Sequence, residues 1–125
     1  MGKKGAKDKH DVDSNAIVLR GGTVDEDNVR HGARRIDAND EVTGLSVQVW
    51  NNNTTSMHHK GTMLKLLKPI PNEAFALARA KDIFKAGGEI TMQKLHNNPY
   101  HAVINGLTVA KVVEIFSRNQ HSKLW

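Results

Sequence analysis

The chain has 125 residues and no cysteine. That single absence excludes disulfide frameworks, thiol nucleophiles and cysteine-ligated zinc together, and it is compatible with a reducing compartment. Aromatic residues are sparse: two Trp, one Tyr and three Phe. They are scattered, so the sequence offers no ladder of stacking residues of the kind single-strand binders use. No run approaches the roughly 18–20 apolar residues of a membrane span, which argues against a membrane role. Lys3, Lys4, Lys7 and Lys9 have no apolar stretch behind them, unlike a secretory signal. Negative charge is the scarcer sign, with 13 Asp+Glu against 18 Lys+Arg and a formal net charge of +5. Residues 1–15 hold four Lys and three Asp, so most of the surplus belongs to the body of the chain. A basic body favours an anionic target, nucleic acid or nucleotide. The length suits one domain.

What is present reads as alternating short strands and helices. Residues 1–15 are expected to form a disordered tail, 16–119 the folded domain, and 120–125 a second tail. Ala16 to Leu19 is a continuous apolar run, the pattern of a strand buried on both faces. Arg20-Gly21-Gly22-Thr23 follows. Thr23 with Glu26 forms a capping box, opening a helix over about 24–31 with Gly32 as a left-handed terminator. In Gly44 to Trp50, Leu45, Val47 and Val49 alternate with Ser46, Gln48 and Trp50, which predicts a half-buried strand with a polar face. Residues 51–61 are a polar loop. Met63, Leu66 and Leu67 have helical spacing, closed by Pro69 and Pro71. Asn72 is expected to cap a helix over about 73–86, with Ala76, Leu77, Ala80, Ile83 and Phe84 as its apolar stripe and Gly87-Gly88 as its end. Strands are predicted at Glu89–Met92 and Tyr100–Ile104, and a last helix at about 109–118 behind Thr108. The order β-α-β-α-α-β-β-α describes a compact α+β domain, a small mixed sheet with three to four helices.

Arg20-Gly21-Gly22-Thr23 sits between a strand and a helix, where glycine N–H groups and an arginine can hold an anion. It lacks the glycine spacing of a dinucleotide fingerprint and the lysine of a P-loop, and a tight turn with a surface arginine has the same appearance. His101, on a strand, can act as a general acid or base or bond a ribose or phosphate; a half-exposed histidine satisfied by backbone is the plainer reading. Ser46 has no glycine two residues on, so it lacks a nucleophile elbow and reads as polar lining, and with Gln48 as part of a solvated strand face. His58-His59 has no nearby carboxylate at ligand spacing and reads as solvated loop, so no metal is expected. Arg30, His31, Arg34 and Arg35 form a basic cluster, by default a solvated face.

The succession of these motifs resembles the C-terminal toxin domains of bacterial Rhs-type polymorphic toxins. The likeness runs from Arg20-Gly21-Gly22-Thr23 through Gly44-Leu45-Ser46-Val47, Ile70-Pro71-Asn72, Asp82-Ile83 with Ala86-Gly87-Gly88, and Asn98-Pro99-Tyr100-His101 to Gly106-Leu107-Thr108. At about a dozen positions the chain is also similar to ADP-ribosyltransferase-like type VI effector toxins. That resemblance implies an ADP-ribosyltransferase-like fold and NAD as the bound dinucleotide. Arg20, Ser46 and His101 would be the catalytic landmarks, and Arg20, Gly21, Gly22 and Thr23 would be on the phosphates and ribose. It also implies an immunity or antitoxin protein as partner and action in the cytoplasm or in a target-cell cytoplasm. With no long upstream region, the chain is expected to be a free-standing unit rather than the tip of a large secreted protein. Two features depart from the family pattern: no Glu-x-Glu pair is present, Glu89 standing alone, and Val103 replaces a hydroxyl residue after His101. A metal-independent ribonuclease using His101, with His31, His58 or His59 as second group, and a non-catalytic binding or inhibitor module remain open alternatives.

Overall fold

The first strand, Ile17–Gly21 (β1), lies in the middle of the sheet because Ile17, Val18 and Leu19 have no polar face to leave in water. In a computed structural model that describes residues 12–51, 60–71 and 74–122, β1 is flanked by Leu45–Trp50 (β4) and Ala74–Arg79 (β5). Outside these lie Glu89–Met92 (β6), His101–Asn105 (β7) and Gln120–Ser122 (β8), giving the order β6-β7-β4-β1-β5-β8. Its ladders are antiparallel. Arg35–Ile36 (β2) and Val42–Thr43 (β3) form a separate small ribbon. Four helices complete the described domain: Glu26–Gly32 (α1), Lys60–Leu67 (α2), Ala80–Lys85 (α3) and Val109–Ser117 (α4). The α+β class expected from the sequence is the class observed, and no described helix is long and apolar enough to cross a membrane.

The two faces of the sheet are unequal. Val18, Leu45, Val47, Val49, Ala76, Ala78, Ala102 and Ile104 pack on one face with Val29 of α1, Ile83 of α3, and Val112 and Phe116 of α4. On the other, Ile17, Leu19, Phe75 and Leu77 meet Met63, Leu66 and Leu67 of α2, with Trp50 and Tyr100 at the margin. The second cluster is built on β1 and β5 and ends at Trp50 and Tyr100, leaving Ser46, His101 and Val103 of β4 and β7 outside it.

Several expectations change, the first being that the sheet expected to be mixed has antiparallel ladders. The helix placed at 73–86 is a strand up to Arg79, and only Ala80–Lys85 is helical. Phe75 and Leu77 serve one core while Ala76 and Ala78 serve the other, so two-sided burial between β1 and β8 outweighs the helix preference of an Ala/Leu-rich segment. The capping box at Thr23 is absent: Asp25 is the N-cap, its side chain accepting from the Asn28 N–H at 2.9 Å. Finally, residues 120–122, read as the start of a tail, add β8 to the sheet edge. At the other end Val12 is buried and the Asp13 N–H donates to Asn51 Oδ1 at 2.7 Å, so residues 12–15, expected as tail, are tied to the domain although Asp13, Ser14 and Asn15 stay exposed. Residues 1–11 lie outside the described residues, as do Asn72, the His58-His59 pair and 123–125.

Candidate functional site

Arg20 is the next-to-last residue of β1, and α1 folds back across it. Its Nε donates to Asn28 Oδ1 (2.9 Å), Nη2 to the Asn28 carbonyl (3.0 Å) and Nη1 to the Ser46 carbonyl (2.7 Å). Asn28 in turn donates from Nδ2 to the Gly21 carbonyl at 3.1 Å. All three oxygens on the guanidinium are neutral, so they satisfy N–H groups without cancelling the charge. Burial draws the arginine pKa below its ordinary value. A partly buried cation without a carboxylate on these contacts is a point where an anion is favoured. Gly32 makes the arrangement possible. A Cβ there would overlap the Arg20 guanidinium, and Gly32 is not among the described glycines with positive φ. Its role is space for arginine, not the left-handed helix end expected from sequence.

Ser46 and His101 come from neighbouring strands, β4 and β7, in a register that pairs Ser46 with Val103 and Gln48 with His101. Both side chains leave the face opposite the larger core. His101 Nε2 lies 3.2 Å from Ser46 Oγ, and Nδ1 lies 3.0 Å from the Gln93 carbonyl. A carbonyl can only accept, so Nδ1 carries the proton. In the neutral ring Nε2 is then an acceptor, and the serine hydroxyl donates to it. The Gln93 N–H also donates to the His101 carbonyl at 2.9 Å, which ties the segment carrying that acceptor to the histidine.

Arg20, Ser46 and His101 line one cleft of about 560 Å³. This is within the roughly 300–1,000 Å³ range of small-molecule sites. Gly21 lines it too, but Gly22 and Thr23 lie outside the lining. The Gly22 N–H is not available to an anion, because it donates to the Ala74 carbonyl at 2.7 Å. Gln120 holds the rest of the turn, donating to the Gly22 carbonyl (3.1 Å) and accepting from the Val24 N–H (2.8 Å). Both polar groups of Gly22 and the Gly21 carbonyl are thus spent on the fold, and β8, missed in the sequence, supplies the residue that holds the Gly22 carbonyl.

The structure adds several residues to the site. Gln48, read as part of a solvated face, is 2% exposed. It exchanges hydrogen bonds with Asn98, Nε2 to Oδ1 at 3.0 Å and Asn98 Nδ2 to Gln48 Oε1 at 2.7 Å, and also donates to the Leu66 carbonyl at 3.3 Å. This closed amide pair joins β4 to the loop before β7 and to α2. Asp27 of α1 also lines the cleft, together with His31, which the sequence offered as one possible second histidine. His31 Nδ1 lies 2.9 Å from the Asp27 carbonyl, which by the same reasoning makes Nδ1 the donor and leaves Nε2 as acceptor in the neutral ring. A sequence signal for α1 existed, since Asp27 and His31 are one helical turn apart on the element that follows Arg20. Nothing in the sequence signalled the Gln48–Asn98 pair.

The remaining expectations disperse. The basic cluster does not act as a unit: Arg30 is engaged by Asp40 and Glu26, which raise its pKa in that order, and Arg34 lines a second cleft of about 480 Å³. Ser46 and Gly32 border both clefts. Glu89 is exposed at the start of β6 and does not line the Arg20 cleft. Among the described residues, no group of three or more His, Asp or Glu is placed to hold a metal ion. No protein-family model matches the chain, and no curated protein or solved structure matches it significantly.

Proposed function

We propose that the chain is a toxin-like enzyme of ADP-ribosyltransferase type, acting on NAD in the cytoplasm of the cell it poisons, with an immunity or antitoxin protein as its natural partner. The observation that carries this reading is the convergence of Arg20, Ser46 and His101, three residues far apart in sequence, on one cleft of nucleotide size. The donor set fits an anionic dinucleotide. Arg20 supplies uncancelled positive charge for a pyrophosphate, held in place by Asn28. Ser46, His101 and Asn98 supply hydrogen bonds that orient a ribose or an amide. Bound NAD supplies a labile nicotinamide–ribose bond whose rupture builds positive charge on the sugar, and Asp27 is the carboxylate among the described lining residues that could face it. Gly21 lines the cleft in this reading, whereas Gly22 and Thr23 support β1 and α1 from outside its lining.

A second reading, a metal-independent ribonuclease, is favoured by one observation: His31 joins His101 in the cleft, with His101 Nε2 on the exposed Ser46 hydroxyl. Two histidines flanking an arginine could act as base and acid on a phosphodiester, with Arg20 on the phosphorane charge. Inducible expression of the wild type, Arg20→Ala and His101→Ala in bacteria, with NAD and intact RNA both quantified, separates the two. Growth arrest with NAD loss, weakened about 100-fold or more in either variant, is the expected result. Arrest with RNA fragments and normal NAD moves the assignment to the ribonuclease. Harmless expression of all three overturns both and leaves a non-catalytic module.

A further inference from the structure

The Ser46 hydroxyl has a base and the base has an orienting group, an arrangement that neither reading above requires. Ser46 Oγ–H donates to His101 Nε2, and His101 Nδ1–H donates to the Gln93 carbonyl. A nucleophile, a base within hydrogen-bond reach and a third group fixing the base's tautomer is the constellation of covalent serine catalysis, recognised by geometry on unrelated folds. The Gln93 carbonyl stands where a carboxylate more often does. It fixes the same tautomer with less stabilisation of an imidazolium.

We infer that Ser46 is a covalent nucleophile and that the cleft supports acyl transfer from a small anionic ester. Three further observations support this. Ser46 is exposed, so an electrophile can reach Oγ. The Ser46 peptide is fixed by Arg20 Nη1 at 2.7 Å, which makes the hydroxyl a rigid strand position. The three bonds of the Arg20 guanidinium leave two of its five N–H groups for the negative charge of a substrate or of a tetrahedral intermediate. In the first step Oγ bonds to the ester carbonyl carbon and its proton passes to His101 Nε2. The carbon–alkoxy bond then breaks, and the alkoxide takes that proton and leaves as the alcohol. Water repeats the sequence on acyl-Ser46 and releases the acid. Because Ser46 also borders the second cleft, an acceptor bound there could replace water.

The test uses the full chain and a fluorophosphonate probe, which needs no knowledge of the natural substrate. Attack of Oγ on phosphorus expels fluoride and leaves a stable phosphonyl-serine that intact mass and peptide mapping locate. Stoichiometric labelling at Ser46 is expected, absent in Ser46→Ala and slowed more than tenfold in His101→Gln. Both variants are compared with the wild type by circular dichroism, so a lost fold is not mistaken for a lost nucleophile. An unlabelled wild type, a label at another residue, or a His101→Gln rate within tenfold of the wild type overturns the inference. NAD turnover is followed in a parallel sample, so the nucleotide reading and this one can fail separately.

Discussion

On β4, Leu45, Val47 and Val49 enter the larger core, while Ser46 and Gln48, one residue away in each case, serve the cleft on the other face. β7 repeats the division: Ala102 and Ile104 enter the core and His101 turns outward. Both faces use the same backbone and the same register. The difference is that three helices cover one face, whereas on the other α2 packs on β1, β5 and the Gln48–Trp50 end of β4 and leaves Ser46 and His101 facing the cleft. A rigid strand with one saturated apolar face can hold polar side chains in fixed positions on its other face. The core fixes where Ser46 and His101 stand, and the cleft decides what they can do.

The comparison can be broken from either side. The largest expected effect is on the core face: Phe116→Ala removes a fully buried ring and should lower stability by about 3–5 kcal/mol in denaturant unfolding. His101→Ala, on the cleft face, should cost less than about 2 kcal/mol and yet abolish NAD loss in expressing cells. Equal stability costs for the two substitutions would mean that the faces are not specialised as described. The next effect is more selective. Gly32→Ala places a methyl group where the Arg20 guanidinium lies while improving local helix preference. Circular dichroism should stay native and NAD consumption should fall about 100-fold, because the displaced cation no longer meets its substrate. Unchanged consumption would show that the position of Arg20 is irrelevant to the activity.

These same residues show where sequence reasoning reached and where it stopped. The period-two alternation of 45–50 revealed β4 and its polar face, and the apolar run at 16–19 revealed a central strand, because burial pattern is local information. The segment 74–79 was misread because Ala and Leu at helical spacing also satisfy a strand buried on both sides. Only its neighbours β1 and β8 decide between them. The glycine turn was misread for a related reason. Its shape suits an anion, but Ala74 takes the Gly22 N–H and Gln120, about a hundred residues later, takes the Gly22 carbonyl. Arg20 and His101 stand out by their own chemistry and Ser46 by its resemblance to a toxin pattern, and the fold brings the three to one cleft. Gln48, Asn98 and the Gln93 carbonyl carried no signal, since their roles depend on long-range register and on a backbone atom.

The most direct test of the account is a titration of the isotopically labelled protein with NAD, followed by amide chemical shifts. Saturable shifts centred on Gly32, Ser46 and His101, and lost in Arg20→Gln, are the predicted result. No shifts, or shifts confined to α4 and the core face, would contradict the assignment of this cleft as the nucleotide site.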